Sequence, residues 1–334
     1  MMKALLIGNC QVAPLKAILN SLSSEANIEF YNCTPVHSIS REEVNELHGS
    51  IRKYDVIFTQ PITDNYRDNI GVSTSTIADL LSSRQCLFKF PNLHFEGYHP
   101  TYGYIRDCSQ RLIRGKYLSD LSHDQFKIIE LCDYHDVLIL SGYLHEMHPS
   151  DLFEFMSSHQ PQCSKKLADW FLSSLSRLRD KEAICNTSMT ALIEELVLSG
   201  LVGQPVFHSF NHPTPLLLGC LAMQLLRLID VNLFPTVGLE TSLKAQAAYG
   251  WRDTFADTKL PVYEFVKTSI FQKSYLNPTF SSGPLKVKGQ SLHLPDQIRL
   301  YFKFYDAIGG GANLMCNLDT VKGRLCRDLL LSSA

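Results

Sequence analysis

The chain has 334 residues, a length that suffices for one large domain or two ordinary ones. Its hydrophobic content of 45% is typical of a soluble globular protein. Its 31 basic and 33 acidic residues give a formal net charge of −2, which excludes a global field that attracts nucleic acid or an anionic membrane. The ten cysteines form no CxxC pair, and the apolar run after Lys3 is too short for a signal peptide, so we expect a reducing, cytoplasmic compartment. The longest apolar stretch, residues 216–229, contains Gln224 and Arg227 and is too short to span a bilayer, so no integral membrane segment is expected.

The first fifteen residues predict a buried strand that leads directly into a helix. Residues 3–7 are an apolar run ended by Gly8, which suits a strand. Pro14 is tolerated in the first turn of a helix, and from Leu15 onward apolar residues recur at helical spacing. Cys10 is therefore predicted on a strand-to-helix turn. Its sulfur is expected near a helix N-terminus, where unpaired N–H groups favour a thiolate or a developing oxyanion.

Strands and helices alternate through the first hundred residues. Further strands are predicted at 28–31, 54–61 and 86–91, and helices at 40–47 and 75–81, the first with the capping-box spacing of Ser40 and Glu43. This alternation indicates βαβ units around a parallel sheet, that is, an α/β fold. Ligands of such sheets bind outside the carboxyl ends of the strands. The segments at Cys10, Gln60 and 91–94 are therefore expected at one edge.

The remaining two thirds of the chain predict mostly helices. They are expected at 122–131, 150–157, 164–179, 187–198 and 215–230, with a polar, His-rich loop at 205–214. A hairpin is expected at 285–294, followed by a helix at 296–308 that Gly309–Gly311 ends. The predicted organisation is an α/β domain over residues 1–110, a mainly helical lobe over 111–237 and a mixed C-terminal extension over 238–334.

The turn around Cys10 has two interpretations on the residues alone. Cys10 is a small buried hydrophobe in a tight turn, or it is a nucleophile that needs a base and an oxyanion site. The backbone N–H groups of Cys10 and Gln11, with the side-chain amides of Asn9 and Gln11, are the potential oxyanion donors.

Histidines in two loops are candidates for acid–base chemistry, although a loop histidine is often only structural. His94 and His99 flank Glu96 after the fourth strand, and His208 and His212 lie in the later loop. An imidazole titrates near neutrality and suits a general base. The four-residue spacing of His208 and His212 resembles a zinc pair on a helix. Because Pro213 pushes His212 out of the helical region, and no Cys or carboxylate flanks the pair, no metal is expected.

Cationic side chains near the fourth strand are candidates for phosphate contacts. Lys89 lies on that strand, and Arg106, Arg111 and Arg114 follow its loop. No G-x-G-x-x-G follows the first strand and no Walker lysine pattern is present, so a dinucleotide cofactor is not indicated.

Four segments, in their order and spacing, resemble the polysaccharide-biosynthesis family typified by WcbI, a capsule O-acetyltransferase that binds coenzyme A. They are Gly8-Asn9-Cys10-Gln11, Thr59-Gln60-Pro61, residues 90–100 (FPNLHFEGYHP) and residues 207–214 (FHSFNHPT). The resemblance covers roughly residues 3–235. The chain beyond about Gly238 matches less clearly.

The resemblance implies acetyl transfer from acetyl-CoA to a sugar hydroxyl of a capsular or surface glycan, without metal or nucleic acid. It implies a largely helical second lobe and a cleft between the lobes. The expected catalytic residues are Cys10, His208 and His212. The expected oxyanion or positioning residues are Gly8, Asn9, Gln11, Gln60 and Asn211. The expected residues that bind CoA or the sugar are Lys89, Asn92, His94, Glu96 and His99.

Two other functions remain open on the sequence. The glycine-then-nucleophile turn is similar to that of SGNH hydrolases, but the residue here is Cys and no Asp-x-x-His pair occurs near the C-terminus. The alternatives are an esterase or thioesterase that uses the same site and a non-catalytic subunit that binds CoA or glycan. For an acyltransferase, both a covalent acyl-Cys10 intermediate and direct transfer are possible.

Overall fold

A computed structural model describes residues 1–113, 126–158, 163–199, 205–231, 239–271 and 283–332. The chain divides into two compact units, each assembled from three stretches. The first unit consists of Met1–His94, Leu175–Val197 and His212–Thr254, and the second of Phe95–Ser174, Leu198–Asn211 and Phe255–Ala334.

The described elements alternate between strand and helix at first and are mostly helical afterwards. In chain order they are β1 (Met2–Ile7), α1 (Val12–Leu22), β2 (Ile28–Asn32), α2 (Arg41–Ser50), β3 (Val56–Thr59), α3 (Thr74–Leu80), β4 (Cys86–Lys89), β5 (Tyr102–Gly103), α4 (Lys127–Leu131), β6 (His135–Asp136), α5 (Val137–Leu144), α6 (Pro149–Ser157), α7 (Ser164–Glu182), α8 (Thr190–Ser199), β7 (Phe207–Ser209), β8 (His212–Pro213), α9 (Pro215–Leu228), α10 (Leu239–Tyr249), β9 (Thr258–Lys259), α11 (Glu264–Phe271), β10 (Leu285–Val287), β11 (Gln290–Leu292), α12 (Leu294–Ala307), α13 (Gly310–Leu314) and α14 (Val321–Leu331). Short 3-10 helices cover 51–53 and 315–319. No helix within the described ranges is long and apolar enough to cross a membrane.

The first unit is built on the predicted parallel sheet, which the structure confirms. Its strand order is β2-β1-β3-β4, and all three pairings are parallel. Alternate side chains of β1 and β3 are buried on opposite faces. One face carries Leu5, Ile7 and Ile57 into a core shared with α2 and α3. On strands β2, β3 and β4, the rings of Phe30, Phe58 and Phe88 stack in a row. The central strands β1 and β3 are buried on both faces, which explains their continuous apolar runs.

At each edge of this sheet, an asparagine forms hydrogen bonds with the backbone of the edge strand. Asn20 of α1 donates to the carbonyl of Phe30 and accepts from its N–H at 3.3 and 3.0 Å. At the other edge, the N–H of Lys89 donates to Oδ1 of Asn186, and the N–H of Asn186 donates to the carbonyl of Lys89, both at 2.7 Å. These bonds satisfy edge groups that would otherwise attract another strand. They also place residues 175–197 in the first unit.

The predicted capping box at the start of α2 is confirmed. The Oγ of Ser40 accepts from the N–H of Glu43 at 3.1 Å, and the Glu43 carboxylate accepts from the N–H of Ser40 at 2.7 Å. The pKa of Glu43 is lowered first by its hydrogen bond from Thr34 and then by the Ser40 N–H. A carboxylate with a lowered pKa stabilises the fold above its unfolded pKa, and this contribution is lost as the pH falls through the folded pKa.

We expect Ser40→Ala to lower the free energy of unfolding by about 1 kcal/mol, because it removes the cap of α2. The loss is expected at neutral pH, where Glu43 is charged, and should shrink as the pH falls below 4.5, the ordinary pKa of this carboxyl group. Chemical denaturation from pH 3 to pH 7 measures both effects. Ser38→Ala is the control, since the Ser38 hydroxyl donates to the carbonyl of Pro35 and caps no helix. Equal losses in the two variants contradict the prediction.

The second unit packs helices around a small buried polar cluster. Helix α5 contacts α14 and α12, and α12 also contacts α6. Asp136 is fully buried and accepts from Leu138 N–H and the Tyr263 hydroxyl, while Tyr263 and Tyr102 share a hydrogen bond of 3.0 Å. Gln297 of α12 donates to the Tyr102 hydroxyl at 2.7 Å. Burial raises the pKa of Asp136, and its hydrogen bonds offset part of that rise.

The predicted hairpin near residue 290 is confirmed and gains a third strand. Strands β10 and β11 pair antiparallel across Lys288 and Gly289, whose φ angles of 45° and 82° suit a tight two-residue turn. Strand β9 adds to the other side of β10. Beyond α12, Gly309 has a φ of 104° and ends the helix as expected.

The contiguous domain boundaries predicted at 110/111 and 237/238 are not those of the two units. Helix α9 packs on α1 and on α10, which returns residues 212–254 to the first unit. The segment 205–214, predicted as a loop, contains the short strands β7 and β8. Of the predicted helix 122–131, residues 122–125 lie outside the described residues, and α4 covers its end.

Candidate functional site

Three strand ends of the first unit meet at the edge that the sequence predicts. The strands are parallel, so the segments after β1, β3 and β4 lie on one side. Backbone hydrogen bonds fix the positions of these segments relative to one another. The Gln60 N–H donates to the carbonyl of Ile7 at 2.9 Å, and the Phe90 N–H donates to the carbonyl of Thr59 at 3.0 Å. The polar residues that follow each strand are thereby brought together.

Gln11 joins all three strand ends through its side chain. Its Nε2 donates to the carbonyl of Leu93 at 2.8 Å, and its Oε1 accepts from the Leu93 N–H at 3.1 Å. The same Oε1 accepts from Nε2 of Gln60 at 3.3 Å. Gln11 is 1% exposed. A buried amide with these bonds fixes the backbone on both sides of the turn.

Asn9 makes the matching connection on the other side of Cys10. Its N–H donates to Oε1 of Gln60 at 2.9 Å, its Nδ2 donates to Oδ1 of Asn92 at 3.0 Å, and its Oδ1 accepts from the Gln11 N–H at 3.0 Å. Gly8 is required beside it, because a Cβ there would lie 2.7 Å from Oε1 of Gln60. We call Asn9, Gln11, Gln60, Asn92 and the Leu93 backbone the amide network.

The amide network engages three of the predicted oxyanion donors, one of which, the Asn9 side-chain amide, donates to Asn92. The Gln11 N–H, predicted to face an oxyanion, instead bonds Oδ1 of Asn9. The Gln11 side-chain amide donates to Leu93. Both groups therefore hold the turn that presents Cys10. The physical reason is that the start of α1 leaves N–H groups unpaired, and the nearest acceptor, Asn9, satisfies one of them.

Cys10 lies half-buried on the turn, two residues before α1 begins. Burial raises the pKa of its thiol, and the hydrogen bond from its own backbone N–H lowers the pKa by less. Burial therefore opposes the thiolate that the helix N-terminus is expected to favour, and desolvation is the largest cause of the shift in the pKa. A nucleophilic role for Cys10 requires a base that removes its proton.

A second thiol beside this turn was not singled out from the sequence. Burial raises the pKa of Cys33 to about 11, and the backbone of Gly8 bonds its sulfur and lowers the pKa by less. The Cys33 N–H donates to the carbonyl of Leu6 at 3.2 Å. Cys33 comes directly after β2, and the parallel strand order places the end of β2 at the same edge as the end of β1. The predicted parallel sheet could therefore have located Cys33.

Three more predicted site residues belong to the first unit. His94 is half-buried and directly follows Leu93, which the amide network holds. His212 is half-buried in β8, and Lys89 ends β4. The first unit therefore contains Cys10, two histidines and one cation of the predicted site.

His99 belongs to the second unit and is 1% exposed. Its Nδ1 lies 3.2 Å from the carbonyl of Pro261, and burial lowers the pKa of His99 to about 3. The imidazole is therefore neutral at physiological pH. Its burial and neutrality favour a structural role in place of the predicted contact with CoA or the sugar, since a neutral, enclosed ring does not attract phosphate.

Glu96 is held by a cation that the sequence did not reveal. Oε1 of Glu96 pairs with Nζ of Lys322 at 3.2 Å, both side chains being mostly buried. Lys322 Nζ also lies 5.3 Å from the ring centre of Phe210 and 5.8 Å from that of Trp170. Lys322 lies on α14, 226 residues from Glu96, and no local pattern relates the two.

His208 and Asn211 also belong to the second unit. His208 is 8% exposed in β7, and its carbonyl accepts from the Leu260 N–H at 2.8 Å. Oδ1 of Asn211 accepts from the Tyr134 hydroxyl at 2.8 Å and from Oγ of Ser209 at 3.0 Å. These bonds fix the conformation of the segment around His208.

The arginines proposed for phosphate contacts make local bonds. Arg111 pairs with Asp107 at 2.8 Å, and Arg106 donates to the carbonyl of Gln110 at 2.6 Å. Arg114 lies outside the described residues. Within the part of the chain that the structure describes, no group of three or more His, Cys, Asp or Glu is placed to hold a metal ion.

Comparison with known proteins agrees with the predicted fold and family. A family model described as "Polysaccharide biosynthesis enzyme WcbI" matches residues 3–233, close to the span of the resemblance seen in the sequence. A solved structure of WcbI, described as a novel polysaccharide biosynthesis enzyme, is similar over 99% of both chains, with a TM-score of 0.74 and 18% identity. It is described as the native protein without a disulfide bond between coenzyme A and one of its cysteines. No curated protein matches the chain. The family match covers more than two thirds of the sequence, and the chain therefore belongs to the WcbI family of polysaccharide biosynthesis enzymes.

Proposed function

We propose that the protein transfers an acetyl group from acetyl-CoA to a sugar hydroxyl during the synthesis of a capsular or surface polysaccharide. The family supports polysaccharide synthesis, and the similar structure is described with coenzyme A and a cysteine together. The observation that carries the proposal is the geometry around Cys10. A half-buried thiol lies on a turn whose two flanking residues, Asn9 and Gln11, are bonded to the ends of β3 and β4.

A rigid turn matters because a nucleophile gains rate from a fixed position. In the covalent version, the Cys10 sulfur attacks the acetyl carbonyl carbon while a base takes the thiol proton. A carbon–sulfur bond to Cys10 forms, the bond to CoA breaks, and CoA leaves as a thiol with that proton. The sugar hydroxyl then attacks the acetyl-Cys10, its proton passes to the base, and an ester forms as the thiol is restored. One thioester replaces another in the first step, so little bond energy changes.

We assign the base to the histidines of the FHSFNHPT segment and favour His212 over His208. His212 lies in the compact unit that contains Cys10, and it is more exposed than His208. The raised pKa of Cys10 makes a base necessary at neutral pH. Lys89, Asn92 and His94 follow strand ends of the same unit and are proposed to contact CoA or the sugar. The Gly8 position and Gln60 are proposed to keep the turn in place.

We expect His212→Asn to lower kcat by about 100-fold, since a positioned general base typically contributes that much or more. The KM for acetyl-CoA should change little, and the pH–rate profile should lose its acidic limb. His145→Asn is the matched control, because this half-buried histidine bonds Ser141 within α5. If His208→Asn lowers kcat and His212→Asn does not, the base is His208, and the preference for His212 is wrong.

The decisive experiment follows the fate of the acetyl group. The protein is incubated with acetyl-CoA carrying a labelled acetyl group, with and without oligosaccharide acceptors, and free CoA and labelled glycan are measured. We expect CoA release that depends on the acceptor and label in the glycan. Equal CoA release without acceptor indicates an ester or thioester hydrolase. Tight CoA binding without turnover under any condition indicates a non-catalytic binding subunit.

We also propose that the reaction takes place in the cytoplasm. All ten cysteines, in both units, are free thiols, four of them buried. Free thiols in this number are typical of a reducing compartment. The proposed partners are a small acyl donor and a sugar or glycan acceptor. Fractionation of cells that express the chain tests the location.

A further inference from the structure

A small cavity in the second unit is lined by two lysines that face each other across a strand pair. In the register of β9 and β10, Lys259 lies directly opposite Lys286. Directly opposite residues place their side chains on the same face, about 5 Å apart at Cβ, and like charges there destabilise the pair. Leu285 and Val287 on either side of Lys286 point into the core, so Lys286 is on the solvent face.

Among the described residues, no carboxylate neutralises either lysine. Within the described residues neither forms an ion pair, and no Asp or Glu lines the cavity. Asp257 is the nearest carboxylate along the chain. It is exposed, does not line the cavity and is in no ion pair with a described residue. Two lysines at directly opposite strand positions, with no counter-charge among the described residues, form a site of positive potential that favours an anion.

His208 adds a third nitrogen-bearing residue to the same wall. His208 lies on β7 and lines the cavity. Its carbonyl accepts from the N–H of Leu260, the residue after Lys259, and this bond holds β7 next to Lys259. The remaining lining residues are the glycine, prolines and apolar residues Pro205, Phe207, Leu260, Pro261, Val262, Gly283 and Pro284.

The size of the cavity limits what enters it. Its volume is about 150 Å³, against about 30 Å³ for one water molecule in the liquid. Pockets that enclose a whole drug-sized ligand usually measure about 300 Å³ or more. A phosphate group fits inside, and the rest of a nucleotide or a sugar chain would extend out of the cavity. Lysine is a common phosphate ligand because its ammonium acts as a compact charge with three donors.

We propose that Lys259, Lys286 and His208 form a binding site for the phosphate group of a larger ligand, whose remainder extends out of the cavity. A phosphate monoester with two negative charges offsets both lysines, which a carboxylate with one charge does not. The two lysines have no part in the proposed acetyl transfer, whereas His208 is also the second candidate for its base. The proposed function enters only in the choice of two probes, since CoA has a 3′-phosphate and sugar precursors are often phosphorylated.

Calorimetric titration of the whole chain at low salt tests the site with four probes: inorganic phosphate, CoA, dephospho-CoA and glucose 1-phosphate. We expect Lys259→Gln/Lys286→Gln to weaken the binding of inorganic phosphate by at least ten-fold. Lys288→Gln, which removes a neighbouring exposed lysine that does not line the cavity, should leave it unchanged. Binding to the wild type should weaken as salt is added, because the contacts are ionic.

The probes also distinguish the source of the phosphate. If the double variant loses affinity for CoA and not for dephospho-CoA, the site binds the 3′-phosphate of CoA. If it loses affinity for glucose 1-phosphate, the site binds the phosphate of the acceptor or its precursor. The double variant is expected to fold, since it removes a repulsion, and phosphate should raise the melting temperature of the wild type only. The proposal is overturned if phosphate does not bind, or if the double variant and Lys288→Gln bind it equally. Neither result bears on acetyl transfer at Cys10.

Discussion

Replacement of Cys10 by alanine is expected to lower kcat for acetyl transfer by about 1,000-fold or more. The sulfur carries the acetyl group in the covalent route, and loss of a nucleophile removes the step that depends on it. The KM for acetyl-CoA should change far less, because Cys10 supplies only a small part of the contact with the donor. Cys10→Ser keeps the shape and provides a poorer nucleophile, so it should fall between alanine and the wild type.

The pH dependence of the thiol offers an independent test. Burial raises the pKa of Cys10 above the ordinary value of 9.0, so the thiolate fraction is small at neutral pH and increases as the pH rises. We expect alkylation of Cys10 by iodoacetamide to be slow at pH 7 and to accelerate about ten-fold per pH unit until the raised pKa is reached. Mass spectrometry of the peptide that contains Cys10 follows this reaction. Rapid alkylation at pH 6 contradicts the raised pKa.

The covalent route is separated from direct transfer by a trapped intermediate. Acetyl-CoA labelled in the acetyl group should leave label on the Cys10 peptide when acceptor is omitted. Cys86→Ser is the control, since this exposed thiol lies on β4 of the same sheet and is not expected to carry label. Full transfer by Cys10→Ser, with no labelled peptide from the wild type, shows that Cys10 only positions the reacting groups.

The parallel sheet could be predicted because its signals are local. Each strand is a short apolar run that ends at a Gly or near a Pro, and the capping box of Ser40 and Glu43 lies within four residues. Parallel order then brings the ends of β1, β3 and β4 to one edge without further information. This step is why Cys10, Gln60 and residues 91–94 were placed together correctly.

The bonds inside the site were beyond sequence reasoning because their partners are distant in the chain. Gln11 and Leu93 are 82 residues apart, and only the folded sheet shows that the Gln11 amide bonds backbone groups instead of an oxyanion. The sequence identifies Gln11 as important and cannot show which atoms it faces. The direction of the Cys10 pKa shift has the same origin, because burial depends on neighbours from other elements.

The loop around His99 shows how a polar pattern conceals a buried residue. The sequence HFEGYHP predicts a loop with two histidines and a carboxylate, yet Phe95 packs against the rings of Phe171 and Phe207. These contacts hold the loop in the second unit, where His99 packs against Tyr102 and bonds the carbonyl of Pro261. Its burial depends on residues 70 to more than 100 positions away, which no spacing rule relates to it.

Gln11→Met is expected to lower the free energy of unfolding by about 3–5 kcal/mol. Methionine keeps the length of the side chain and removes both of its polar atoms. The Leu93 N–H, the Leu93 carbonyl and Nε2 of Gln60 then lose their bonds to Gln11, and each buried polar group left without a partner costs about 1–3 kcal/mol. Local rearrangement recovers part of the sum.

Gln11→Met should destabilise the backbone around Leu93 more than the core of the sheet. The Leu93 amide bonds Oε1 of Gln11, so its hydrogen exchange should accelerate more than that of the β1 core residue Leu6. Because Leu93 precedes His94, the turn and the His94 backbone both lose a fixed position, and kcat should fall together with stability. Gln60→Ala shares one bond with Gln11, so the two substitutions should be non-additive by about 1 kcal/mol.

Lys16→Met on α1 is the matched control, because it places the same side chain at a half-buried position five residues along the chain. It is expected to change the free energy of unfolding by no more than about 0.5 kcal/mol. Chemical denaturation and peptide-resolved hydrogen exchange provide the two measurements. If Gln11→Met is as stable as Lys16→Met and Leu93 stays protected, the amide network does not hold the turn. The rigidity on which the proposed role of Cys10 depends then has no structural basis.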